Sequence, residues 1–226
     1  GFYKWLANTG WDESQALKEA AGDKGSKVHY AVQDLIDGKA IAIDQPILNP
    51  STGNLEPLTL EEYQAILSFA NWHKATKPTT VAREITVWND EYGYAGTIDY
   101  LCLIDGEFWL IDFKTSKAVY PTHEIQVSAY KHTPEVEAFK ANIPIAPAEQ
   151  MKLGILQLGY ERTKLGYKLT PVEDQFDLFL STKKTWAKET SGQSPKQKDY
   201  PLSISLAPVA SQNADAQGVK TGGKNG

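Results

Sequence analysis

Only one of the 226 residues is a cysteine, Cys102. A single thiol closes no disulfide within the chain, and it cannot assemble a structural zinc site or a cysteine-bound iron–sulfur cluster. Its position inside an apolar run makes it a core thiol. No apolar run approaches the roughly 20 residues that a membrane helix needs. The first residues, GFYKWLANTGWDE, lack the succession of a signal peptide. The expectation is an intracellular protein with no membrane partner. The chain opens on Gly rather than Met, as a trimmed or excised piece would.

Arginine is scarce too, with Arg83 and Arg162 the only two. Bidentate arginine–guanine contacts are the commonest base-specific readout, so a nucleic-acid partner would be engaged with little regard to sequence. A net charge of −5 argues against coating nucleic acid through bulk charge. It leaves room for a nuclease, whose site carboxylates make the chain acidic while local lysines meet phosphate.

What is present is 41% hydrophobic residues and six tryptophans, enough for one sizeable core. We expect one domain over 1–190. Beyond it, residues 191–226 drift to Gly, Ser, Gln, Asn and Lys, the composition of a flexible tail.

The informative stretch is GTIDYLCLIDGEFWLIDFKTSKAVYPTHEIQVSAY, Gly96 to Tyr130. Two β-rich runs, Thr97 to Ile104 and Glu107 to Lys114, flank Asp105-Gly106, a dipeptide suited to a tight type I′ turn. A two-residue loop pairs Ile104 with Glu107, and the same register sets Asp99 opposite Asp112. Directly opposed carboxylates repel. A hard divalent cation such as Mg²⁺ or Mn²⁺ relieves that repulsion by taking carboxylate oxygens. Lys114 lies two residues after Asp112 and so shares its face, where it can stabilise negative charge on a phosphate. The competing reading is a solvated Asp/Asp/Lys trio on an outer hairpin face; Leu110, Ile111 and Phe113 around it favour a strand buried on both sides.

Upstream, GSKVHYAVQDLIDG from Gly25 has helical spacing, with Ser26 as N-cap and Gly38 as stop. A second short helix is expected near Trp11, after one over Gly1 to Asn8. His29 borders the apolar stripe; a lone helical histidine is more often a core or surface residue than a ligand. Lys39 to Leu58 reads as a loop. Thr59 caps a helix ending before Pro78, with Leu60, Tyr63, Ile66, Leu67 and Ala70 expected inside and His73 exposed at its end. Thr80 to Trp88 is a strand with Glu84 at its middle, near Asp99 if the two strands pair, or else an exposed glutamate.

Downstream, Thr115, Ser116 and Lys117 form a polar connection to a helix from Pro121 to His132, where Gln126 and Tyr130 share a face. They serve either as packing and surface residues or as phosphate contacts beside Lys114. Strands follow at Met151 to Tyr160 and Tyr167 to Leu169, with a loop at Asn142 to Pro147 before them. A helix over Pro171 to Lys188 uses Val172, Phe176, Phe179, Leu180 and Trp186 for packing and carries Lys183, Lys184 and Lys188 as a basic patch.

Taken together, a helix with His29, a strand with Glu84, GTID ending at Asp99, Asp112-Phe113-Lys114, and a helix with Gln126 and Tyr130 resemble the RecB-type branch of the PD-(D/E)XK nuclease superfamily. The resemblance covers about Gly25 to Tyr160. It implies an α/β fold with a restriction-endonuclease-like core, a central mixed β-sheet flanked by helices. It implies that His29, Asp99, Asp112 and the backbone carbonyl of Phe113 hold Mg²⁺ or Mn²⁺, that Glu84 assists, and that Lys114 steadies the attacking water. Gln126 and Tyr130, with Thr115, Ser116 and Lys117 nearby, would contact DNA. With one cysteine the chain falls with the branch members that have no iron–sulfur cluster, which include phage exonucleases and the mitochondrial genome maintenance exonuclease. The implied activity is hydrolysis of DNA at ends or in single strands during replication, recombination or repair, in the cytoplasm of a bacterium or phage-infected host. A helicase, recombinase or single-strand-binding protein is the implied partner. A non-catalytic DNA-end-binding module, an endonuclease or a junction resolvase are the alternatives.

Overall fold

The structure, a computed structural model, describes residues 11–49, 52–142, 151–189 and 191. The helix expected over Gly1 to Asn8, most of the Asn142 to Pro147 loop and nearly all of the expected tail lie outside the described residues. The chain divides into a unit Gly1–Glu189 and a second, Thr190–Gly226; every element described belongs to the first.

In chain order the elements are α1 (Trp11–Ile36), β1 (Ile47–Asn49), β2 (Asn54–Glu56), α2 (Leu60–Thr76), β3 (Thr79–Asn89), β4 (Tyr94–Ile104) and β5 (Glu107–Lys114). After them come α3 (Pro121–Lys131), α4 (Pro134–Asn142), β6 (Lys152–Leu158), β7 (Tyr167–Val172) and α5 (Phe176–Glu189). The five long strands form one sheet in the order β3-β4-β5-β6-β7. Only β5 and β6 run parallel, because α3 and α4 intervene between them. The protein is therefore α/β, with a mixed central sheet flanked by helices.

One apolar cluster packs Val28, Val32, Ile66, Phe69 and Trp72 of α1 and α2 on Tyr100, Cys102, Ile111, Phe113 and Leu156. On the other face, Val127 of α3 and Val136 of α4 cover Ile98, Leu101, Leu110 and Ile155. β5 contributes to both clusters and is buried from Phe108 to Phe113, as the apolar residues on either side of Asp112 predict. Asp105 and Gly106 both have positive φ, 52° and 82°, the signature of the type I′ turn. The ladder pairs Ile104 with Glu107 and continues to Tyr100 with Ile111, one pair short of the expected Asp99 opposite Asp112.

Several local expectations are corrected. Gly25 lies within a single 26-residue helix, and Ser26 is no cap: its hydroxyl donates to the Gly22 carbonyl one turn back (3.0 Å). An interior glycine costs about 1 kcal/mol, less than burial of the helix face returns. The Lys39 to Leu58 stretch contains the β1–β2 hairpin. In α2 the capping box of Thr59 and Glu62 forms, but the inward face is Ala65, Ile66, Phe69 and Trp72, while Leu60 and Leu67 are 64% and 49% exposed. His73 is half-buried against the Phe69 ring, and burial pushes its pKa down, opposite to the cation expected at a helix end. Pro171 and Val172 belong to β7, so the last helix starts five residues later, and Trp186 is 63% exposed. The α4 helix had no counterpart in the sequence reading.

Candidate metal centre

Three elements converge on Asp99. β4 carries it past the last ladder pair with β5, where its Oδ2 accepts the Phe113 N–H (2.6 Å). The side-chain alternation of β4 breaks here: Ile98 packs in one core cluster and Tyr100, two residues on, in the other. On the adjoining strand, pairing runs from Arg83–Tyr100 to Ile85–Ile98 and skips Glu84, whose φ is +46°. A left-handed conformation is uncommon for a non-glycine residue and costs of order 1 kcal/mol or more. The irregularity frees both carboxylates from the regular pleat.

α1 brings His29 to the same point, with Nδ1 3.3 Å from Asp99 Oδ1. The helix is anchored two residues away, where buried Lys27 meets Glu62 Oε1 of α2 at 2.9 Å. One ligand atom each from His29, Glu84 and Asp99 lies within 4.8 Å of the others. Glu84, expected only to assist, thus joins the tightest cluster. Asp112 stands outside that cluster. It shares strand parity with Leu110 and so belongs to the α3 face, yet its charge still acts on His29, and the Asp99 charge acts on it.

Asp112 is 2% exposed. Lys114 Nζ lies 2.6 Å from its Oδ2, a close ion pair. Burial first, and the Asp99 charge second, push the Asp112 carboxyl up, against the pull of Lys114 and His29. Burial and Asp99 likewise raise Glu84. Burial works against a charged His29, but the charge and hydrogen bond of Asp99 carry its pKa above the ordinary value. Three carboxylates thus meet one ammonium and one imidazole. The donors are oxygen and imidazole, two of the carboxylates are buried, and the carboxylates outnumber the cations beside them; these features fit a divalent cation.

α3 supplies the far wall. Gln126 Nε2 donates to Tyr130 Oη at 2.8 Å, as their spacing predicts. Tyr130 is raised by burial first, and then, with Gln126 pulling the other way, by the charges of Asp112 and Asp99. Its ring lies on Gly96, where a Cβ would stand 2.3 Å from Tyr130 Cε1. Sequence reading gave Gly96 no role, although a glycine inside a strand pattern signals close approach of another group. His123 is a second residue of this wall outside the expected site. It lies on the face of Gln126 and Tyr130 by i, i+3 and i+7 spacing, and burial together with the Lys114 charge pushes it down to about 4.

Thr115, Ser116 and Lys117 line a groove of ≈ 530 Å³ with His29 and Lys114. Buried Gln157 fixes this connection by donating to the Ser116 carbonyl (3.0 Å). Phe113 enters through its N–H and through its ring, edge-on to His29 at 5.9 Å. Cys102 is fully buried, and desolvation pushes its thiol far up, leaving it inert. Among the described residues no helix is long and apolar enough to cross a membrane. No protein-family model matches the chain, and no curated protein matches it.

Proposed function

We propose that this protein is a divalent-metal-dependent deoxyribonuclease of the restriction-endonuclease-like fold, acting as an exonuclease on DNA ends or single strands. The observation that carries the reading is the convergence of His29, Glu84 and buried Asp99 within ligand distance of one another, beside buried Asp112 and its Lys114 partner. His29, Glu84, Asp99 and Asp112 would hold Mg²⁺ or Mn²⁺, with the Phe113 carbonyl as a further donor. Such a cation supplies a more acidic water and an electrophilic clamp on a phosphoryl oxygen.

The remaining chemistry belongs to the chain. Lys114, already within 2.6 Å of Asp112, need only turn its ammonium to the phosphate to meet the negative charge that develops there. Gln126 and Tyr130, fixed to each other, place an amide and a hydroxyl beside the scissile group. Thr115, Ser116 and Lys117 hold the adjoining backbone. Water attacks the phosphorus, the ester oxygen leaves, and no covalent enzyme intermediate forms. A helicase, recombinase or single-strand-binding protein would present the strand.

The test is hydrolysis of end-labelled single- and double-stranded DNA with Mg²⁺, Mn²⁺ or EDTA. Shortening from the ends should require metal and should fall by about 10²-fold or more in Lys114→Ala and Asp112→Asn, the scale of removing one charge-stabilising group. A native protein that binds DNA but leaves every substrate intact with either metal would be an end-binding module instead.

A further inference from the structure

The groove beside the metal centre does not stop at Lys117. Its lining residues Lys24, Thr115, Ser116 and Lys117 also line a second hollow of ≈ 190 Å³. That hollow shares Gln64, Gly159, Tyr160 and Glu161 with a third, of ≈ 260 Å³, reaching Lys164. The three form one path, which leads from α1 and the Thr115–Lys117 connection into the space between α2 and the turn joining β6 to β7.

This turn is built rather than slack. Gly159 and Gly166, at its two ends, have φ of 72° and 74°, and each lies against α2: added Cβ atoms would meet Ala65 Cβ at 3.4 Å and Ser68 Cβ at 3.0 Å. Ser68 Oγ accepts the Gly159 N–H (3.0 Å), and Asn71 Nδ2 donates to the Leu165 carbonyl (3.2 Å). The Tyr160 N–H donates to the Gly166 carbonyl at 2.6 Å. Arg162 therefore stands on a rigid support, and it is one of only two arginines in the chain.

Charge along the path is unevenly matched. Lys24 is paired with Glu61. Lys117 and Glu161 make only a loose contact at 3.7 Å, with both side chains more than three-quarters exposed. Arg162 and Lys164 are exposed and have no acidic partner among the described residues. In a chain of net charge −5, two unpaired cations on a fixed turn suit a partner that brings its own negative charge. The two hollows beside the turn lie below the roughly 300 Å³ at which small-ligand pockets begin, and the groove beside the metal centre lies within that range.

Resting on the nuclease reading of the adjoining centre, we propose that this path is a second subsite for single-stranded DNA, with Lys117, Arg162 and Lys164 on successive phosphates and Tyr160 beside a base. A positively charged groove interleaved with an aromatic ring is how single strands are held without sequence preference.

Binding in EDTA, where nothing is cut, isolates this subsite from catalysis. A fluorescent 20-nucleotide single strand should bind Arg162→Ala/Lys164→Ala about tenfold more weakly than the native chain. The slope of log affinity against log salt should be shallower by about 1.4, or 0.7 for each lost phosphate contact. Lys183→Ala/Lys184→Ala, which removes the same charge from α5, should change affinity less than twofold. A duplex of the same sequence should bind the native chain at least tenfold more weakly than the single strand. An unchanged slope, an equal loss in both double variants, equal affinity for the duplex, or no binding by the native chain would each overturn the subsite. Native protein that shows this slope but cuts nothing with metal would keep the subsite and remove the hydrolase.

Discussion

Gly96 shows how much of the centre hangs on one missing side chain. Its Cβ position lies within 3 Å of three atoms of Tyr130, so any side chain there must move the ring that holds Gln126. Gly96→Ala should cost about 1–3 kcal/mol, the usual range for overpacking, by urea unfolding. The same substitution in a Tyr130→Ala background should cost much less, and an undiminished cost there would mean the strain lies in the β4 backbone. The neighbouring residues divide by what sequence could reveal. Asp112 and Lys114 were placed together by strand alternation alone. His123 and Gly96 were legible in principle, one by helical spacing and the other by its place in a strand. The positive φ of Glu84 was not, because nothing about glutamate favours that conformation.

At the scale of elements, α1 must be held in register for His29 to reach Asp99. The clamp is Lys27, whose ammonium lies 2.9 Å from Glu62 and 3.6 Å from Glu56, with Lys27 and Glu62 nearly buried. It joins α1 to the first turn of α2, where Glu62 also accepts the Thr59 N–H. Lys27→Ala would strand a buried carboxylate and should cost about 3 kcal/mol by denaturant unfolding. Lys27→Met/Glu62→Gln should recover most of that loss, since no buried charge is left unpaired; failure to recover would mean that packing of the lysine stem carries the effect. The helix pairing itself was not visible in sequence. The apolar pattern of α2 fits two faces, and only contact with the sheet selects Phe69 and Trp72 over Leu60 and Leu67.

For the whole molecule, two apolar clusters close the sheet on either face without help from the acidic centre, so stripping metal should leave the fold standing. On the proposed reading, Mn²⁺ at a hundred times its dissociation constant should add about 2.7 kcal/mol, which for a chain of this size would raise Tm by roughly 5–10 °C. That increment should depend on pH. His29, Asp112 and Glu84 all have raised pKa values in the fold. Each therefore contributes stability below its unfolded pKa that is lost as pH rises through its folded one, and each holds protons that compete with a cation. The Mn²⁺-induced rise should be larger at pH 7.5 than at pH 6, measured against EDTA controls at each pH. His73 and His123, whose pKa values are lowered, push the metal-free curve the other way but cancel in that difference. A rise independent of pH would place the cation elsewhere.

The sequence by itself determined the hairpin, its register from Ile104 back to Tyr100, the burial of β5 and the shared face of Gln126 and Tyr130, because turn chemistry and the two side-chain periods are local properties. Tertiary structure alone decided that α1 runs unbroken through Gly25, that Glu84 rather than Asp112 completes the tight cluster with His29 and Asp99, and that the β6–β7 turn extends the groove. Those outcomes depend on how helices seat on a twisted sheet and where its pleat breaks. Contacts between residues far apart in the chain set both, and no local pattern encodes them.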